Sequence, residues 1–236
     1  MAQYPRPEPV RFAVMMQSWC NLTFLHWRYP VSIIAPYVPS PLTVDSCDGS
    51  AWVGITPFFL KNLHPPALPS LPWISHFPET NCRTYVKGPD GKPGIWFFSL
   101  DAARLPAVAG ARTAYGLPYA WSRMRVRKIG SRMEYESHRR WPDHVAKTHI
   151  CIEAGAPIDA NEMEIFLTER YRLYSRILGQ LTFTDVEHAP WPLHAAQATR
   201  IEQTLTAAAG LPNPAEGPLV HFSPGVTVRV ALPRKI

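Results

Sequence analysis

The sequence predicts a mainly β (α+β) domain, and three observations carry that prediction. Strand-like segments recur from Phe12 to Val230 with turn signals between them. Proline supplies 26 of 236 residues, roughly twice its ordinary share of about 5%. Because proline lacks the amide hydrogen that helix interiors and central strands use, long helices are disfavoured. Finally, 46% of residues are hydrophobic and 18% charged, which is apolar enough to offset chain entropy. The length exceeds the usual single-domain mode, yet all-β barrels reach it around one core. Residues 1–236 are therefore read as one domain with a meandering antiparallel architecture.

The elements follow in order. Arg11 to Met16 and Leu22 to Tyr29 read as strands, followed by a helical turn near Val31 to Tyr37 that Pro39 and Pro41 end. Asp48-Gly49 marks a tight turn. The proline-rich run from His64 to Pro72 predicts an ordered loop of polyproline character, suited to act as a lid. Ala51 to Ile55, Asn81 to Val86 and Ile95 to Leu100 read as strands, the last two joined by Gly88-Pro89-Asp90-Gly91. Alternation puts Trp96, Phe98 and Leu100 on one face and Ile95, Phe97 and Ser99 on the other, which suits a central strand. Asp101 to Tyr115 predicts a helix with an acidic N-cap, an early Pro106 and Gly116 past its end. Arg123 to Ile129 and Arg132 to His138 flank Gly130-Ser131 as a hairpin with one buried face. Asp159 and Glu162 resemble a capping box ahead of a short helix. Two strands meeting at Gly179 and a last one at Val226 to Val230 complete the set.

Several function classes lose their usual signatures. There is no Gly-rich phosphate loop, no G-x-S-x-G and no H-E-x-x-H. No cofactor is expected. No metal is expected either, since the nine histidines lack ligand spacing, and His144 and His149 are five apart, on opposite faces of a strand. The four cysteines are dispersed, which predicts reduced and mostly buried thiols. Residues Met1 to Pro9 have no signal-peptide core and no run reaches a membrane span, so no membrane partner and a cytoplasmic location are expected. The +6 net charge invites nucleic acid, but Arg123, Arg125 and Arg127 alternate with Met124 and Val126 as on a half-solvated strand. Nucleic acid is not expected as a partner; a small anion is compatible with the charge, and a homo-oligomer with the sequence.

The segment from Glu79 to Tyr85 puts Glu79, Asn81, Arg83 and Tyr85 on one strand face. This polar ribbon is either a solvent face or a pocket wall in which a carboxylate and a guanidinium orient a ligand.

Six stretches resemble the YqjF-like family of uncharacterised bacterial proteins (domain of unknown function 2071): Gln17-Ser18-Trp19, Pro78 to Val86, Trp96 to Ala102, Tyr115 to Tyr119, Leu167 to Tyr171 and Pro190 to Leu193. They span nearly the whole chain. The family carries no assigned reaction, but it distantly resembles the acetoacetate decarboxylase-like superfamily. That resemblance implies a cone-shaped antiparallel β-barrel with a few short peripheral helices around a substrate cavity. It rests on Arg28, on Tyr37 to Asp45 and on Ala107 to Arg112 running into Pro118.

The decarboxylase's nucleophilic lysine and its neighbour correspond to Tyr119 and Ala120, which cannot form an imine. Cys20 stands where an arginine usually follows the tryptophan. The resemblance then implies Glu79 as a catalytic candidate and Arg112 as a substrate-binding one; local pattern adds Tyr119 as catalytic and Arg28, Arg83 and Tyr85 as substrate-binding candidates. Two readings stay open: a lyase or hydrolase-type enzyme acting on a small organic acid without a Schiff-base lysine, or a non-catalytic binding or sensing protein. Lys61 and Lys147 are the lysines whose entry into a pocket the sequence leaves undecided.

Overall fold

The structure is a computed structural model that describes residues 9–236. All but the last residue of the Met1 to Pro9 reading lies outside that range. The elements are β1 (Met15–Tyr29), α1 (Val31–Ile34) with a 3-10 turn (Ala35–Tyr37), β2 (Thr43–Val44), β3 (Ala51–His64), β4 (Phe77–Lys87) and β5 (Pro93–Ala102). Then come α2 (Leu105–Tyr115), β6 (Tyr119–Ile129), β7 (Arg132–Trp141), β8 (Lys147–Pro157), α3 (Glu162–Thr168), β9 (Arg172–Ile177) and β10 (Gln180–His188). β11 (His194–Gln203), α4 (Leu205–Ala208), β12 (Leu219–Val230) and β13 (Arg234–Lys235) end the chain. None of these helices is long and apolar enough to cross a membrane.

All these strands belong to one hydrogen-bonded sheet, and it closes on itself twice. The β4–β5 pairing completes a ring through β6, β7, β8, β11, β12, β1 and β3, and the β10–β12 pairing completes a smaller ring through β9 and β10. The two rings share β12, β1, β3, β4 and β5 as a common wall. Pairing is antiparallel except where β5 runs briefly parallel to β6 and β9. This is the mainly β architecture with short helices that the sequence predicts.

The larger ring is solid. Leu25, Trp27, Val53, Ile55, Met133, Tyr135, Ile150, Ile152 and Phe222 fill it, all nearly or fully buried. The hairpin of β6 and β7 behaves as its alternation predicts, with Met133 and Tyr135 inward and Arg123 and Arg125 exposed. One buried ion pair ties this ring to β5: Arg139 grips Asp101 through Nε–Oδ1 at 2.9 Å and Nη2–Oδ2 at 2.7 Å, and Ser122 Oγ donates to Oδ1 at 2.6 Å.

Four local readings need correction. The two N-terminal strands are one strand, β1, interrupted by Asn21 at φ 51°. Its partner β12 carries Gly225 at φ 130°, where a Cβ would lie 2.0 Å from the Trp19 carbonyl oxygen. Both strands turn over at this level, so Gln17 and Trp19 share a face with Leu22, while Leu25 and Trp27 enter the solid ring. In β5, a bulge opposite Cys82 and Arg83 moves Leu100 onto the face of Ile95 and Phe97, rather than leaving it with Trp96. Asp101 is not a helix cap: α2 starts at Leu105 with Pro106 in its first turn, because Asp101 is held in β5 by Arg139. The capping box lies two residues later than predicted. Asn161 Oδ1 accepts from the Glu164 amide and Glu164 Oε2 from the Asn161 amide.

The thiols are free; Cys82 and Cys151 are buried, whereas Cys20 and Cys47 are only half-buried. The proline-rich loop is fixed at its base by Ser75, whose hydroxyl donates to the Leu63 carbonyl at 2.6 Å and accepts from the Leu71 amide at 2.8 Å.

Candidate functional site

The smaller ring is hollow. Its strands, together with α2 and the segment from Thr168 to Arg170, enclose a cavity of about 340 Å³. Most of its wall is apolar: Phe58, Leu60 and Phe77 at one end, Ile95, Phe97 and Leu100 along β5, and Met15, Val186 and Val230 at another. Ala107, Gly110, Ala111 and Ala114 give α2 a small-residue face toward it. Trp19 and Trp191 stack at 6.0 Å between centroids, and His188 sits 5.0 Å from Trp191 and 4.6 Å from Tyr171. Burial holds the His188 imidazole below its ordinary value, although the nearby Ala189 carbonyl and Glu169 oppose that shift.

Into this apolar space β4 sends Glu79, Asn81 and Arg83, as strand alternation requires. The polar ribbon is thus a pocket wall. Glu79 is 3% exposed and Tyr119 Oη lies 3.1 Å from each of its carboxylate oxygens. Burial pushes the Glu79 carboxyl up to about 8, against the opposing hydrogen bond from Tyr119 and with a smaller push from Asp101. Burial, with Glu79 beside it, raises the Tyr119 phenol well above its ordinary range. At neutral pH the pair is therefore a protonated acid beside a neutral phenol, able to donate to a ligand oxygen.

Arg83 is 6% exposed, and its Nε and Nη2 have no hydrogen-bond partner. Among the described residues no carboxylate lies within ion-pairing distance of it. Its guanidinium sits 5.7 Å from the Phe24 ring and 5.8 Å from the Tyr85 ring. Asn81 Oδ1 and Thr56 Oγ1, both on cavity-lining residues, are likewise buried without partners. Two further arginines line the cavity but are engaged: Arg170 donates to Asp45 at 2.6 Å, and Arg172 to Asp90 at 2.7 Å and Asp185 at 2.8 Å.

The structure thus brings Glu79, Arg83 and Tyr119 together and leaves the other three candidates outside. Arg28 does not reach the cavity; it pairs with Asp48 at 2.7 Å on the exposed side and stacks on Trp52. Arg112 faces away from the α2 alanine stripe. It donates to the Tyr119 carbonyl at 2.6 Å and stacks on Trp141, so it steadies the start of β6 from outside. Tyr85 lies beneath the cavity, where its hydroxyl donates to the Leu167 carbonyl at 2.7 Å and meets His26 Nε2 at 2.6 Å. Burial, reinforced by Arg83 and other cations, holds His26 well below its ordinary value, which leaves a neutral ring donating to Tyr85. No lysine is among the described residues that line the cavity; Lys61 and Lys147 are both exposed. Sequence reasoning missed Asn81's unpaired carbonyl, Arg170, Arg172 and the Trp19–His188–Trp191 wall, because their common address depends on how the smaller ring closes.

A family model described as an uncharacterised conserved protein, DUF2071, matches residues 16–227. The uncharacterised protein YqjF of Bacillus subtilis (strain 168) is 41% identical over 213 residues, covering 89% of this chain and 87% of its own. Among solved structures, an acetoacetate decarboxylase-like enzyme from Sphingomonas wittichii RW1 superposes with a TM-score of 0.68 at 8% identity, covering 100% of this chain and 98% of that one. The enduracididine biosynthesis enzyme MppR, complexed with the condensation product of pyruvate and imidazole 4-carboxaldehyde, gives 0.66 at 12% identity, with 99% and 91% covered. Acetoacetate decarboxylase from Legionella pneumophila gives 0.62 at 13%, with 98% and 92% covered. At these identities the likeness is one of fold.

Proposed function

The chain belongs to the DUF2071 family, and we propose that this member binds an amphipathic organic acid in the smaller ring and acts on it without a covalent lysine. One observation carries the reading: Arg83, on the wall of an apolar cavity, is a buried cation whose Nε and Nη2 have no hydrogen-bond partner. An isolated buried charge costs several kcal/mol, roughly, unless an anion completes it. A carboxylate offers two oxygens to the guanidinium fork and offsets that cost.

The size of the site favours more than a three-carbon acid. A cavity of about 340 Å³ holds the volume of about eleven waters. Along β4 the Cα atoms of Glu79 and Arg83 are four residues, roughly 13 Å, apart. A ligand whose carboxylate sits on Arg83 and whose neighbouring carbonyl turns toward Glu79 and Tyr119 takes up the gap these side chains leave between them, and lays an aryl or branched apolar body beyond the carbonyl against Phe97, Leu100 and Trp191. Glu79 supplies or takes the proton, and Tyr119 donates to the carbonyl or enolate oxygen. That MppR is seen with pyruvate supports 2-oxo acids as the first class to try.

The test is a thermal-shift screen of oxo acids, aromatic acids and lipophilic acids, followed by incubation and mass analysis of each hit. Conversion that drops at least a hundredfold in Glu79→Gln and Tyr119→Phe supports the enzyme. A hit recovered unchanged makes the protein a binder, and undiminished turnover in both variants contradicts the assignment.

A further inference from the structure

A second cluster of ligating side chains lies on the opposite side of the molecule. Strands β7 and β8 are antiparallel neighbours with Glu134 directly opposite Cys151, and His149 lies two residues before Cys151 on β8. Period-two alternation puts all three on one face. Because Met133, Tyr135, Ile150 and Ile152 occupy the inward face in the solid ring, that face is the outer one. Directly opposed strand residues have Cβ atoms about 5 Å apart, so no loop rearrangement is needed to make the ligands converge. The ligand atoms of Glu134, His149 and Cys151 already lie within 4.8 Å of one another, and His149 Nε2 is 3.0 Å from Glu134 Oε1.

We propose that Glu134, His149 and Cys151 form a binding site for a divalent transition cation of the zinc class. A tetrahedral centre with bonds of about 2.0 to 2.3 Å needs ligand atoms roughly 3.3 to 3.6 Å apart, so the His149–Glu134 pair opens slightly from 3.0 Å while the longer separations, up to 4.8 Å, close. Thiolate and imidazole select zinc-like over magnesium- or calcium-like cations, and three protein ligands leave a fourth place for water. On binding, the Cys151 thiol releases its proton to solvent, the proton between His149 Nε2 and Glu134 leaves Nε2, the ring keeping one on Nδ1 and any second going to solvent, and Glu134 and Cys151 together neutralise the two positive charges. Two arginines border the site: Arg127 Nη1 is 3.7 Å from Glu134, and Arg132 Nη2 is 3.9 Å from the Cys151 sulfur. Arg127 has a side chain 41% exposed and turns to solvent when the metal takes its partner.

Cobalt(II) is the probe, because a thiolate ligand gives it a charge-transfer absorption that oxygen and nitrogen ligands do not. Titrating the chelator-stripped full-length protein is expected to produce that band at one cobalt per chain, with zinc displacing it. Cys151→Ser removes the band, and His149→Ala and Glu134→Gln each weaken binding at least tenfold, whereas Cys20→Ser leaves it unchanged. Absence of the band at stoichiometric cobalt, or its survival in Cys151→Ser, overturns the proposal. If Cys151→Ser does not fold, unchanged affinity in His149→Ala overturns it equally.

Discussion

The two rings share a wall, and its two faces do opposite things. On β4, Cys82 joins the solid core, while Glu79, Asn81 and Arg83, its neighbours along the same strand, face a space they do not fill. The core side satisfies its charges internally, as when Arg139 and Ser122 saturate Asp101. The solid ring has an unmet hydroxyl at Thr148, whereas the cavity side leaves a guanidinium, Arg83, unmet together with Asn81 and Thr56. Stability is therefore concentrated in the larger ring, and the smaller ring carries its unmet polar groups at some cost in stability.

The sharpest way to break this contrast is to remove one partner of the buried pair. Asp101→Asn takes the buried partner from Arg139 and leaves it only the more exposed Asp143 at 3.5 Å, so denaturant unfolding is expected to show a loss of about 3 kcal/mol. Arg83→Met removes a charge that has no partner, so its stability is expected to stay within about 1 kcal/mol of wild type or to rise. Next in size is packing. Ile150→Ala in the filled ring is expected to cost about 2–5 kcal/mol, against less than about 1 kcal/mol for Leu173→Ala, which already borders the void.

The pH dependence sharpens the contrast further. Glu79 titrates at about 8 in the folded protein against an ordinary 4.5, so the folded state keeps a proton that the unfolded chain releases between those values. Its contribution is fully present below about 4.5 and is lost as pH rises to about 8, a change on the order of a few kcal/mol. Glu79→Gln flattens that slope and gains stability at the alkaline end, as unfolding midpoints across this range will show. A slope that persists in the variant places the proton elsewhere.

Much of the fold was legible because its cues are local. The Asp48-Gly49 turn, the Gly88 to Gly91 loop, the Gly130 and Gly179 hairpins and the α2 boundary at Gly116 all sit where backbone chemistry dictates. What sequence alternation could not locate were the face changes at Asn21, Gly225 and the β5 bulge, each a single extra or left-handed residue that reassigns every side chain beyond it.

The cavity wall was legible where it lies on one strand, as with Glu79 and Arg83, or at the aligned Tyr119. Arg28 and Arg112 fall outside the cavity, because a position in the sequence does not say which side of a closed sheet Arg28 leaves from or which face of α2 carries Arg112. His149-Ile150-Cys151 alternates visibly, but its third ligand, Glu134, becomes a neighbour only through the β7–β8 register.

The most direct test of the account is calorimetric titration of the wild type and Arg83→Met with phenylpyruvate, a 2-oxo acid with an apolar body. The prediction is saturable one-to-one binding that weakens at least a hundredfold in the variant while its unfolding midpoint holds. Equal affinity in the two proteins, or a wild type that binds neither this acid nor any in the screen, would contradict it.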